Sequence, residues 1–447
     1  MRSLFFSVIL LFVGCASKLA QPAVQIPESF KYGNEVVVES DSVVVWWRNF
    51  ADPTLQSLIN EAIDVNRSIG ATIAALNAAR HNLRVAKSSY LPSLSLDVDA
   101  ERYREERIYA AEYSVTPTIS WQIPLFGAYR ATKDEYSSLA VSKEWAARGA
   151  MLTLASDVAT AYYSLLMYRA ALEVSQSSCQ LRSDATTLID SMYRYGMSSR
   201  VDLEQARSLV YAAQNEVDSY IESIRLTELS LSLLLNRDVD FSLITLSLNE
   251  LQTPAKVASG VPSDLLYNRP DLRESYFKMM SAMGAVGVAR AAQFPSLALT
   301  VDGGLFSSSL SGLTLAKMLT WEWAVDLAQP IFNFAALKSK RKAAVADYEA
   351  ALLSYEQSIL DALKDVESAL VEIGATREKS LSQRRYMDSY EQIARSTSAL
   401  YRGGMSSYLN VVDAEREYLS SQISYIELVA QQQINYVNLF TALGGRL

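Results

Sequence analysis

Tyr401-Arg402-Gly403-Gly404-Met405-Ser406-Ser407 decides the fold, because the chain carries it twice. Tyr193-Arg194-Tyr195-Gly196-Met197-Ser198-Ser199 repeats it at six of seven positions. An Asp-containing helical stretch follows each copy, Val201 to Arg207 and Leu409 to Arg416. In both places a long helical pattern stops at the glycine and another starts after the serine pair. Gly supplies the left-handed backbone that ends a helix, and Ser is a good N-cap for the next one. Both heptapeptides therefore read as tips of long helical hairpins, at 196–200 and 403–408, with Gly196 and Gly404 reversing the chain.

Upstream of the first tip, no proline occurs between Pro124 and Pro254. The run opens with a helix of roughly 70 residues, on the order of 100 Å long. Leu154, Val158, Ala161, Leu165, Tyr168 and Leu172 step by four and three, a coiled-coil seam. Ile359, Leu363, Val366, Leu370 and Ile373 do the same before the second tip. A descending helix over about Val201 to Leu235 returns from the first tip. These helices are too polar to span a bilayer, so they pack side by side in water.

Ahead of each long helix the period changes from helical to two. Leu94, Leu96, Val98 and Ala100 alternate with Ser95, Asp97, Asp99 and Glu101. A polar loop over Arg102 to Ala111 leads to Tyr113, Val115, Pro117, Ile119, Trp121 and Ile123, alternating with polar residues. Leu297, Leu299 and Val301, then Trp321, Trp323, Val325 and Leu327, repeat the plan. Each half thus carries two strands (about 93–125 and 295–331) with one apolar and one polar face. At about 10–12 residues they match the length of membrane strands, although half of a soluble sandwich alternates in the same way. A helix from Asp52-Pro53 to about Ser89 precedes the first strand pair. Ala86 to Leu94 and Ala289 to Leu297 are parallel passages of the two halves. An internal two-fold repeat results, 54–250 and 251–447.

The 447 residues carry a net charge of −8 and no basic run, which argues against nucleic acid as a partner. One histidine, His81, and two cysteines exclude a His-based triad and make a transition-metal centre untenable. Met279, Met280 and Met283 cluster on a helix, where methionine usually fills a core. No catalytic constellation, metal site or cofactor is expected. At the N-terminus, Arg2, an apolar run from Leu4 to Val13 and Gly14-Cys15 form a secretory signal. The junction resembles a bacterial lipobox, with Phe12 in place of the usual Leu. It gives a signal peptide over 1–14 and a lipidated tail over 15–53 that starts at Cys15 and is destined for the outer membrane.

Four strands cannot close a barrel, and an open edge in lipid costs several kcal/mol per unpaired backbone group. Strands of this kind in a membrane require several chains to share one barrel. Trp46-Trp47 with Phe50-Ala51-Asp52-Pro53, Arg269-Pro270-Asp271-Leu272-Arg273, Phe294-Pro295-Ser296-Leu297 and the Tyr401 to Ala414 passage then resemble the TolC/OprM-like outer membrane factors, in their lipoprotein branch. The resemblance covers nearly the whole chain. It implies a mixed α+β membrane protein: a homotrimer with a 12-stranded outer-membrane barrel, a long periplasmic helical barrel and an equatorial domain. It implies a passive exit duct for drugs or other small toxic compounds, joined to a periplasmic adaptor and a proton-driven inner-membrane transporter.

The resemblance also implies a gate at the tips. Asp413 matches an acidic ring position, where three carboxylates around one axis repel or recruit a cation. Asn410 stands where some members carry a second acidic ring. Arg402 and Arg416 match basic positions near the constriction, Asp202 an acidic tie and Tyr401 an aromatic tie; Ser406 replaces a basic tie of the TolC archetype. Read alone, Asp413 and Arg416 at i, i+3 form an ordinary surface pair. Gly196, Met197, Gly404 and Met405 sit where the family docks its adaptor. Alternatives are a type I protein-secretion duct of the same fold and a non-channel periplasmic lipoprotein.

Overall fold

The computed structural model describes residues 19–32, 46–105, 108–238, 241, 262–315 and 319–445. Cys15 and the signal segment lie outside the described residues. Seven α-helices of more than one turn and four strands are resolved among them: α1 (Pro53–Val65), α2 (Arg67–Ser88), β1 (Ser93–Glu105), β2 (Ile108–Ile123), α3 (Ala128–Arg194), α4 (Arg200–Leu234), α5 (Pro270–Ala291), β3 (Ser296–Ser307), β4 (Leu319–Ala328), α6 (Phe334–Arg402) and α7 (Tyr408–Ala442). The order reproduces the expected repeat of helix, strand pair, long helix, tip and returning helix. No described helix is long and apolar enough to cross a membrane.

Two expectations are corrected. The helix read from Pro53 to Ser89 breaks at Asn66, which adopts extended backbone as the C-cap of α1. Its side chain accepts from Ser68 N at 2.9 Å, opening α2, and donates to the Leu234 carbonyl at 2.9 Å. The loop read over Arg102 to Ala111 is mostly ladder, because Arg102 pairs with Ala111 and Arg104 with Tyr109. The strands therefore run to 13 and 16 residues, with polar ends that composition alone marked as a turn.

The chain divides into two compact units. One holds the described residues up to Gln25, residues 75–144 and residues 274–358, and with them the sheet. Its four antiparallel strands lie in sequence order, so among the described residues β1 and β4 each present an unpaired edge. The apolar face is open: Leu94 is 72% and Trp321 73% exposed, and Leu96, Val98, Trp323 and Leu327 are exposed beside them. Pro117, which cannot donate to a ladder, interrupts the β2–β3 pairing together with Thr116. Gly303 and Gly304 lie opposite this gap. A Cβ on Gly304 would stand 2.6 Å from the Val115 carbonyl oxygen, so only glycine lets the strands approach there. In the same unit the N-terminal tail follows α6: Tyr348 donates to the Ala20 carbonyl at 2.6 Å, and Glu356 accepts from Ala23 N at 2.8 Å.

The second unit holds residues 26–74, 145–273 and 359–447 and contains the main core. Trp46, Phe50, Leu55, Ile59, Tyr162, Tyr163, Leu165, Leu231 and Val437 are buried in it. Trp46 stacks on Phe440 at 5.9 Å, and Phe50 lies 5.8 Å from Tyr163. Asp52 caps α1 by accepting from Thr54 N at 2.9 Å and Leu55 N at 3.1 Å. Burial and the Asp52 carboxylate push the Tyr162 and Tyr163 hydroxyls well above the usual tyrosine value. Arg269 is buried with its guanidinium in a fork on Asp271 (3.0 and 2.7 Å), 3.1 Å from Asp365 and 2.9 Å from the Ala442 carbonyl. It thereby ties the start of α5 to α6 and to the end of α7.

Candidate functional site: the paired hairpin tips

Both long helices end in the same hydrogen-bonded motif. Met197 N donates to the Met192 carbonyl at 2.8 Å and Gly196 N to the Tyr193 carbonyl at 3.0 Å. The second copy repeats this with Met405 N to Leu400 O and Gly404 N to Tyr401 O, both at 2.9 Å. These are the two bonds of a Schellman cap. Gly196 and Gly404 take φ of +74° and +73°. A Cβ at either would meet open space, so the requirement for glycine is conformational rather than steric.

The copies differ where the next helix begins. Ser199 caps α4 in a full capping box: Asp202 N donates to Ser199 Oγ at 3.0 Å and Ser199 N to Asp202 Oδ2 at 3.1 Å. Ser198 Oγ adds a donation to the same carboxylate oxygen at 3.2 Å. In the second copy Ser407 has cap geometry without a side-chain bond, and Asn410 takes the position of Asp202. Its amide donates to Ser406 Oγ at 3.1 Å. Asp202 is thus engaged in capping its own helix.

Just behind the tips the two hairpins join. Ile189, Leu203, Ala206, Tyr408 and Val411 form a small buried cluster, with Tyr401 and Val412 against it. The Tyr401 and Tyr408 rings lie 5.3 Å apart. Burial, the Glu415 charge and Tyr401 push the Tyr408 hydroxyl up to about 12.

Charge is arranged around this joint. Asp413 lies 3.5 Å from Arg416, and both side chains are exposed. Asp190 bridges Arg194 at 2.7 Å and Arg207 at 3.6 Å. Arg402 lines a groove of about 570 Å³ with Arg182, Arg395 and Glu415. Arg182 and Arg416 also line a second groove, of about 620 Å³, with Glu216 and Glu427. Arg182 is only 6% exposed; it donates to the Leu209 carbonyl at 3.4 Å, and its Nε has no hydrogen-bond partner among the described residues. Burial holds the Glu415 carboxyl above the ordinary range, against the pull of Arg182.

The family model for outer membrane efflux proteins matches residues 58–237 and 261–445, one match for each half of the repeat. The chain belongs to this family. The solvent efflux pump outer membrane protein SrpC of Pseudomonas putida is 30% identical over 405 residues, covering 89% of this chain and 86% of SrpC. The cation efflux system protein CusC of Escherichia coli O157:H7 is 27% identical over 449 residues, covering 98% and 97%. A crystal structure of CusC matches with a TM-score of 0.87 at 26% identity, over 96% of this chain and 99% of that one. The open state of the Neisseria gonorrhoeae MtrE outer membrane channel gives 0.88 at 25% identity, over 96% and 98%. The TolC/OprM-like reading and the outer-membrane location hold.

Within this outer membrane efflux protein the expected site residues fall into separate groups. Tyr401 joins the buried inter-hairpin cluster, Asp413 and Arg416 pair on the surface of α7, and Arg402 stands apart in its groove. Met197 and Met405 are exposed at the extreme tips, with Tyr195 beside them. Met279, by contrast, is buried as core filler, and no metal-holding group of His, Cys, Asp or Glu occurs among the described residues. Sequence reading missed Tyr408, Arg182 and Glu415. Glu415 stands where the first copy has Arg207, so aligning the two tips exposes a charge reversal. Arg182 carries no local signal, since one arginine on a polar helix marks nothing until its burial is known.

Proposed function

We propose that three copies of this chain close one 12-stranded barrel in the outer membrane, with the hairpins of all three forming a periplasmic duct. The observation that carries this reading is the sheet. It has two unpaired edges and an exposed apolar face, in a chain whose described helices include no membrane span. Open edges in hydrocarbon cost several kcal/mol per unpaired group, and cyclic pairing of β4 with the next chain's β1 removes them. The apolar face then meets lipid and the polar face lines the lumen.

In this reading the protein is a passive exit duct and not an enzyme. It serves a pump with a periplasmic adaptor and an inner-membrane transporter, and it exports small toxic compounds, the solvent and cation pumps of SrpC and CusC marking the range. Cys15 carries the lipid anchor. The tips close the duct, with Asp413 from three chains as the acidic constriction, Arg402, Arg416, Asp202 and Tyr401 around it, and Met197 and Met405 meeting the adaptor. The test is single-channel recording of the purified, lipidated protein in a planar bilayer, with its mass measured in detergent. A three-chain particle with small openings is expected. A monomer that never conducts, even as Asp413→Ala, overturns the reading.

A further inference from the structure

Arg182 is a buried cation that forms no ion pair among the described residues. Its single hydrogen bond, to the Leu209 carbonyl, is a long one at 3.4 Å, and its Nε donates to nothing among the described residues. Buried charges are ordinarily paired, because a guanidinium stripped of water needs its donors satisfied. The two grooves beside it differ in charge. The groove of about 620 Å³ sets Arg182 and Arg416 against Glu216 and Glu427. The groove of about 570 Å³, between α3, α6 and α7, sets Arg182, Arg395 and Arg402 against Glu415 alone. Arg395 is shared with Glu391 one turn back, whereas Arg402 has no ion pair among the described residues. Glu415 is a poor counter-ion for the rest, because burial holds its carboxyl towards the neutral form. The Ser178 and Ser398 hydroxyls line this same groove, and Leu181 and Leu419 give it apolar wall. All three helix segments belong to one compact unit.

We propose that the α3–α6–α7 groove binds a small organic anion, its carboxylate or phosphate head on Arg182 and Arg402 and its apolar body on Leu181 and Leu419. Guanidinium groups suit such a head, since their planar donors match two oxygens of an oxyanion at once. The groove's volume lies within the roughly 300–1,000 Å³ of small-molecule sites and is far more than a bare inorganic ion fills. A bound anion supplies the counter-charge that the chain withholds from Arg182. It also ties the hairpins together, because Arg182 belongs to the first and Arg402 to the second. The site goes beyond the duct reading and does not depend on it, since every residue named comes from one chain.

The test is calorimetric titration of the full-length protein in detergent with phenyl phosphate, at fixed ionic strength. One saturable site per chain is expected. Inorganic phosphate, which lacks the apolar body, is expected to bind about tenfold or more weakly, and benzyl alcohol, which lacks the charge, to give no signal. Arg182→Gln is expected to weaken phenyl phosphate about tenfold or more. Arg402→Glu changes an exposed residue, serves if Arg182→Gln fails to fold, and is expected to abolish binding. Glu216→Gln, in the other groove, is the control and is expected to leave the affinity level. Absence of saturable binding overturns the proposal. So does an affinity that neither arginine variant changes, which places the ligand elsewhere, or one that Glu216→Gln alters as much as Arg402→Glu does, which reduces it to the protein's overall charge.

Discussion

Alanine at Gly404 and at its neighbour Gly403 separates conformational from steric need at the second tip. Gly404 sits at φ +73° with open space around its missing Cβ. Forcing an L-residue into that region costs about 1–2 kcal/mol. Gly403 lies outside the left-handed region, and its Cβ would be tight only against Met405 Cε, at 3.2 Å, the end of a flexible chain, with the Leu400 and Ala399 carbonyl oxygens in ordinary contact at 3.6 and 3.7 Å. There alanine reduces the freedom of the opened state and adds about 0.4–1 kcal/mol of local stability. The Met405 amide reports both changes, because it is tied to the Leu400 carbonyl at 2.9 Å. Hydrogen exchange of that amide is expected to quicken about fivefold or more in Gly404→Ala and to stay level or slow in Gly403→Ala. Equal acceleration in both variants would mean that crowding, not backbone conformation, selects glycine here. No change in Gly404→Ala would remove the cap from the account of the tip altogether.

Other outcomes follow from the same geometry. Asp413→Ala is expected to raise resting conductance in planar bilayers; wild-type gating in that variant would show that the carboxylate serves only its exposed pair with Arg416. Arg269→Ala removes a buried guanidinium from Asp271 and Asp365, whose own side chains are 54% and 44% exposed and stay solvated, and is expected to cost about 1–3 kcal/mol, read as a lowered thermal midpoint of the assembled protein. The Glu415 carboxyl is held up by burial, so its contribution to stability is fully present below the ordinary carboxylate range and lost as pH rises through the raised value. Glu415→Gln keeps the uncharged form throughout. It is expected to flatten the fall in thermal midpoint as pH rises above the ordinary carboxylate range, and an unchanged slope would assign that fall to other groups.

The tips were legible in the sequence because their chemistry is local. A Schellman cap favours glycine and the start of a helix favours serine, and both residues fall within seven positions, although only Ser199 makes the side-chain bond. The strand pairs were legible for the same reason, since alternation at Leu94–Ala100 and Trp321–Leu327 follows from one face being apolar. The length of β1 and β2 was not, because Arg102 and Arg104 are strand residues only by virtue of partners on β2. The break at Asn66 was also hidden: asparagine is tolerated in a helix, and here its amide is drawn to the Leu234 carbonyl far along the chain.

Periodicity and short motifs are enough to specify the repeat, the two hairpins, the four amphipathic strands and membership of the efflux family. Which side chains meet between the hairpins emerges only in the folded chain. Tyr408 seals them, Arg182 is buried among them and Glu415 is desolvated beside it, on elements some 200 residues apart. The physical reason is common to all of these: burial, pairing and counter-charge are properties of neighbours in space, and a chain read in order shows only neighbours in sequence.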